Sequence, residues 1–134
     1  MPIRRSIVGI DSPDALSEAL RAAQYLAGEE LATAAYLALA LGKPLLLEGA
    51  QGVGKTEAAK AVSSVLGREL VRLQCYEGID ASAALYEWNY PRQMLAIRQA
   101  DDAGYVNIYA DEFLVRRPML EALQDPTGTV LLID

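Results

Sequence analysis

Histidine is absent from this chain, and cysteine, tryptophan and phenylalanine each occur once among its 134 residues. Without histidine, and with Cys75 as the lone thiol, there is no ligand set for a zinc or haem site. A single cysteine also excludes an internal disulfide and fits a reducing compartment. No run of about eighteen apolar residues occurs, so nothing reads as a membrane-spanning helix. Arg4 and Arg5 precede no apolar core of signal-peptide length. Basic charge is scarce as well: the formal net charge is −6 and no basic run interrupts it. A nucleic-acid groove or an anionic-membrane patch is therefore not expected. These absences predict a cytoplasmic protein with no nucleic-acid or membrane partner.

What is present is a globular composition, 52% hydrophobic and 22% charged, in a chain long enough for one domain. One stretch organises the rest. It opens with the apolar run Leu45–Leu47, which reads as a short buried parallel strand. Gly49-Ala50-Gln51-Gly52-Val53-Gly54-Lys55-Thr56 then fits the phosphate-loop pattern of a glycine, four residues and Gly-Lys-Thr. Glu57 to Leu66 reads as the following helix, stopped by Gly67.

Phosphates concentrate negative charge, and the free backbone N–H groups at a helix start can point at them. The glycines allow turns that a side chain would block, so several N–H groups line one concavity. Lys55 adds a positive charge for the β- and γ-phosphates, and the Thr56 hydroxyl is a Mg²⁺ ligand. Glu57 is too close in charge to the phosphates for direct contact, so an outer or subunit contact is expected.

A site of this kind also takes a carboxylate at the end of an apolar strand. Asp134, after Val130–Ile133, is the favoured candidate. Asp111 is the alternative, weakened by the polar Asn107 before it. Asp111 and Glu112 also suit a helix N-terminus, where carboxylates favour the dipole. In ATPases of this type the residue after the strand-end aspartate is commonly a glutamate that activates water, and here that place falls after Asp134.

Around this centre the sequence predicts a lead-in to residue 11, with Ile7–Ile10 pairing weakly or lying on the surface. A helical region spans 12–41. Ser12-Pro13 starts its first helix, with Leu16, Leu20 and Ala23 on one face. Glu29–Leu41 forms its second, with Leu31, Ala35 and Ala38 on one stripe, ended by Gly42 and Pro44. The phosphate-loop unit takes 44–67, and Glu69–Cys75 alternates as a strand. Short helices are predicted from Ala81 to about Trp88 and from Pro91 to about Asp101. Phe113–Leu123 reads as another, which Arg117-Pro118 kinks or truly starts. Asp125–Gly128 is a turn, and 129–134 is the strand carrying Asp134. Strands alternating with helices give an α/β class with a parallel sheet.

Several stretches resemble a known family. Leu45–Glu57, Arg72–Asp80, Ala84-Leu-Tyr-Glu-Trp-Asn-Tyr-Pro-Arg-Gln93 and Phe113–Leu120 look like MoxR-type AAA+ ATPases. The branch they resemble most is associated with maturing carbon monoxide dehydrogenase and related molybdenum hydroxylases. The resemblance covers roughly residues 24–134. It implies the P-loop NTPase (AAA+) fold, a parallel three-layer α/β/α core, with residues 1–134 as the N-terminal part of one nucleotide-binding domain. It implies ATP and Mg²⁺ as ligands, Gly49–Thr56 as Walker A and Asp134 as the Walker B carboxylate. It further implies a homo-oligomeric, usually hexameric, ring that remodels a client metalloenzyme or helps insert its cofactor. A partner with a von Willebrand factor A domain is part of that expectation. The family's catalytic glutamate, sensor, arginine finger and helical lid would follow residue 134, so the core is expected to be incomplete and hydrolysis by this chain alone is not expected. The family sheet order is 5-1-4-3-2, which puts the strand before the phosphate loop next to strands not seen in this sequence.

Other residues keep two readings. Tyr25 and Leu26 contact adenine or pack ordinarily. Tyr76, Tyr86, Trp88 and Tyr90 form a core or subunit interface, or a client contact. Arg116 and Arg117 lie on a solvated helix face or reach a neighbouring subunit or its nucleotide. Cys75 is expected as a small buried hydrophobe. Two other function classes stand beside the ATPase: a small phosphoryl-transfer kinase, and a nucleotide-binding module without hydrolysis.

Overall fold

The computed structural model describes residues 9–100 and 104–134, so the expectation for Ile7 and Val8 and the predicted helix end at Asp101 lie outside the described residues. The chain divides into two compact units, residues 1–70 and 71–134.

The first unit is helical. Helix α1 (Pro13–Ala22) starts where Ser12 Oγ accepts a hydrogen bond from the Ala15 N–H at 3.1 Å, with Pro13 at its first turn. It buries Leu16 and Leu20, the two residues that its periodicity picks out. Helix α2 (Glu29–Leu41) runs between the predicted limits, but its buried face centres on Ala32 and Ala35. Leu31 and Ala38 are half-buried beside it. Alanines at the contact let α1 and α2 approach closely. Helix α3 (Lys55–Leu66) contributes Ala61 to the same core, with Val62 and Val65 around it. Gly42 and Gly67 close α2 and α3 in the left-handed conformation, at φ 63° and 60°.

The predicted strand at Leu45–Leu47 is not formed. Residues 43–50 have no regular structure, and Leu46 is 80% exposed. A strand exists only where a neighbour completes its ladder of N–H and C=O groups. Among the described residues nothing pairs with this one.

The second unit holds the strands. β1 (Leu70–Leu73), whose first residue falls at the unit boundary, lies beside β4 (Val130–Ile133). The Asp134 N–H donates to Leu73 O at 2.9 Å, and the Cys75 N–H donates to Asp134 O at 2.6 Å. One residue thus bonds to both sides of Gln74, the pattern of a parallel pair. The α/β class with parallel strands holds.

Between these strands come α4 (Ala81–Leu85), β2 (Tyr86–Trp88) and α5 (Tyr90–Gln99), then a 3₁₀ turn (Asp111–Phe113), β3 (Leu114–Arg116) and α6 (Pro118–Gln124). Asp80 caps α4 by accepting from the Ala83 N–H, and Asn89 caps α5 by accepting from the Arg92 N–H. β2 and β3 are antiparallel, with Tyr86 opposite Arg116, Glu87 opposite Val115 and Trp88 opposite Leu114. Two predicted helices are corrected here. The one from Ala81 stops at Leu85, because Tyr86 and Trp88 pair with β3 instead of continuing the coil. The one from Phe113 starts at Pro118, the second of the two readings of Arg117-Pro118, where proline takes the first helical position after the short strand. Phe113 is 2% exposed and anchors this unit, and the buried Gln93 amide donates to Ile108 O at 2.6 Å.

Candidate functional site

The phosphate-loop residues form an open loop that runs directly into α3. Gly52 and Gly54 take φ of 82° and 95°, a region that an L side chain rarely adopts. Gly54 is the N-cap and has no side chain to cap the helix. The first-turn N–H groups of α3 are therefore left for a ligand, with the positive end of the helix dipole behind them. Lys55 Nζ folds back over the loop and donates to Gly49 O at 2.6 Å and Ala50 O at 2.7 Å. Its ammonium thus sits inside the turn that the pattern predicts for phosphates. Thr56, in the first turn of α3, is half-buried, and Gln51 and Val53 point to solvent. Glu57 pairs with Lys60 at 2.6 Å, so in this structure its carboxylate is engaged along its own helix.

Tyr25 reaches this loop through a turn. Its N–H donates to Leu20 O at 2.9 Å, and the Gln24 N–H donates to Arg21 O at 2.9 Å. Gln24 stands at φ 64°, so α1 ends in a six-residue closure with glutamine in the place usually held by glycine. The turn sends the Tyr25 ring to 3.8 Å from where a side chain on Gly54 would begin. Leu26 does not join it: this side chain is 79% exposed.

The remaining candidates lie in the second unit. Asp134 follows β4 directly, and its Oδ2 accepts from Arg72 Nη2. Asp111 sits in the 3₁₀ turn, 3.9 Å from Arg116, and Glu112 lies 3.6 Å from Arg92. Of the two carboxylates, Asp134 is the one at a strand end. The Arg72 pairing went unpredicted, because its signal is a register between two strands sixty-two residues apart in sequence. Arg116 and Arg117 are not on a free helix face. Arg116 Nε donates to Gln124 Oε1 at 2.9 Å, and Arg117 pairs with Glu87. Cys75 is exposed, which corrects the buried reading: β1 ends at Leu73, and the thiol lies beyond it.

Tyr76, Tyr86, Trp88 and Tyr90 line an open groove of ≈ 530 Å³ together with the Glu87–Arg117 pair. Tyr76, Tyr86 and Tyr90 are exposed, so in this chain they are a surface and not a core. Trp88 stands edge-on to Tyr86 and to Tyr109, with centroids 6.0 and 5.4 Å apart.

Among the described residues no three of His, Cys, Asp and Glu gather into a metal cage. The oxygen donors present, a threonine hydroxyl and a strand-end carboxylate, suit Mg²⁺. That ion keeps most of its waters and takes its other ligands from phosphate rather than from a protein cage. Among the described residues no helix is long and apolar enough to cross a membrane.

An α/β chain whose glycine loop opens a helix with Lys-Thr in its first turn is a phosphate-loop nucleotide-binding protein by class. Residues 44–134, more than half of the chain, match the AAA domain (dynein-related subfamily), and the chain belongs to that family. Membership implies ATP binding and hydrolysis, with Mg²⁺ as the metal that the family uses. No curated protein and no solved structure matches the chain.

Proposed function

We propose that the chain binds ATP with Mg²⁺ through residues Gly49–Thr56, as part of a MoxR-type AAA+ ATPase that remodels a client enzyme. The observation that carries this reading is the Lys55 ammonium held on Gly49 O and Ala50 O at the uncapped start of α3. A cation that already sits on loop carbonyls exchanges them for phosphate oxygens with little reorganisation. In this reading the N–H groups from Gly49 to Thr56 cradle the phosphates, and the Thr56 hydroxyl and Asp134 hold the metal. Mg²⁺ held there would supply charge neutralisation for the phosphates. Tyr25, beside Gly54, is the residue of the Tyr25-Leu26 pair that lines the adenine end. Glu57 stays outside the phosphates.

Residues 1–134 are the N-terminal part of one nucleotide-binding domain, a reading supported by the family match over residues 44–134. The client is a metalloenzyme of the carbon monoxide dehydrogenase type. A hexameric ring and a von Willebrand factor A domain partner complete the proposal, on the strength of the Tyr86–Gln93 resemblance. The family match favours ATP hydrolysis over the kinase and binding-only alternatives.

Titration with a fluorescent ATP analogue tests the site. Lys55→Ala removes a charge-assisted contact of about 1.5–3 kcal/mol, so affinity is expected to fall about ten- to a hundredfold. Equal affinity in the two proteins would sink the assignment.

A further inference from the structure

We propose that Arg72 masks the Asp134 carboxylate and competes with the divalent cation for it. This rests on the reading of Asp134 as the magnesium carboxylate. The pairing follows from the way the two strands meet. Asp134 bonds through its backbone to Leu73 O and Cys75 N, which places it opposite Gln74. Side chains alternate along a strand, so Arg72, two residues earlier, shares the face of Gln74. The burial pattern agrees: Leu73 is buried, whereas Arg72 and Gln74 are exposed. A diagonal neighbour on the same face is within reach of a long side chain, and the Arg72 guanidinium takes the Asp134 Oδ2.

The consequence is electrostatic. One of the two oxygens that Asp134 would offer a cation, or a cation-bound water, is committed to Arg72. The positive charge beside it also lowers the negative potential at the other oxygen. Once a cation is present, it must displace the guanidinium or share the carboxylate with it. Arg72 and Asp134 are 48% and 38% exposed at their side chains, so the pair is a weak one, of the strength of exposed ion pairs. A contact that weak opens readily, which is what a reversible mask requires.

The test compares the affinity for a fluorescent ATP analogue in saturating Mg²⁺ with that in EDTA, for each variant. The ratio of the two is the coupling between metal and nucleotide. Arg72→Gln is expected to raise this ratio about two- to fivefold over the unaltered chain, the range set by an exposed pair. Arg72→Lys, which keeps the charge, stays near the unaltered ratio. Asp134→Asn is expected to lower it. Circular dichroism of each variant checks that the overall secondary structure is kept. If Asp134→Asn leaves the ratio unchanged, the magnesium reading of Asp134 fails, and the mask fails with it. If Asp134→Asn lowers the ratio while Arg72→Gln leaves it unchanged or lowers it, Asp134 keeps its role and the mask alone is overturned.

Discussion

At Gln24 the chain does with a glutamine what Gly42 and Gly67 do at the ends of α2 and α3. The left-handed conformation costs a side chain about 1–2 kcal/mol, whereas glycine adopts it freely but loses about 0.5–1 kcal/mol of chain entropy. Gln24→Gly is therefore expected to stabilise the chain by about 0.5 kcal/mol net, read as a small rise in the urea midpoint. A fall would mean that the glutamine side chain itself contributes. Leu16 is the opposite case. It is fully buried among α1, α2 and α3, and Leu16→Ala is expected to cost about 2–5 kcal/mol by the same measurement. The leucine was legible in the sequence, since spacing along a helix reports which face is buried. Gln24 was not, because nothing in the residue type announces a positive φ. Cys75 and Arg72 were misread or missed for a related reason: their surroundings depend on where β1 ends and on what lies beside it.

The helices and the strands divide along the same line. The predicted start of α1 and both limits of α2 agree with the structure because their signals are local: Ser12-Pro13 at one end, Gly42 at another. Ser12→Ala removes the acceptor for the Ala15 N–H and is expected to cost about 1 kcal/mol. Amide hydrogen exchange checks it, since the loss should concentrate in the first turn of α1. Strands carry no such local mark. Leu45–Leu47 is as apolar as Val130–Ile133, yet among the described residues only the latter has a neighbour and forms a ladder. Tyr86–Trp88 follows a helical start at Asp80, and only its pairing with Leu114–Arg116 turns it into a strand. For the candidate site, the glycine loop that opens α3 was legible as a local pattern, whereas the Arg72 partner of Asp134 was not.

For the whole molecule, two turns of the second unit are expected to respond to acid. Hydrogen bonds from the Ala83 N–H and then Ser82 hold the Asp80 carboxyl below its ordinary value of 3.8. For Asp125 the Thr129 and Thr127 hydroxyls do the same. A carboxyl held lower in the folded chain than in the unfolded one stabilises the fold above its ordinary value. That contribution disappears as the pH falls through the lowered one. Thermal melts at decreasing pH are therefore expected to show stability falling below about pH 4, and less steeply in the double variant Asp80→Asn, Asp125→Asn. Both residues belong to residues 71–134, so this acid response belongs to that unit.

The Trp88 cluster gives a way to see it. Trp88 is the only tryptophan in the chain, and it stands edge-on between two tyrosines of the second unit. Tryptophan emission, with Tyr86 and Tyr109 beside the ring, reports on the surroundings of Trp88 in that unit. The helical ellipticity is weighted toward the first unit, because α1, α2 and α3 are together longer than α4, α5 and α6. One solution of unlabelled protein thus carries separate optical signals for its two halves. If the emission and ellipticity curves coincide on heating, the halves melt as one cooperative body; if they part, each has its own transition.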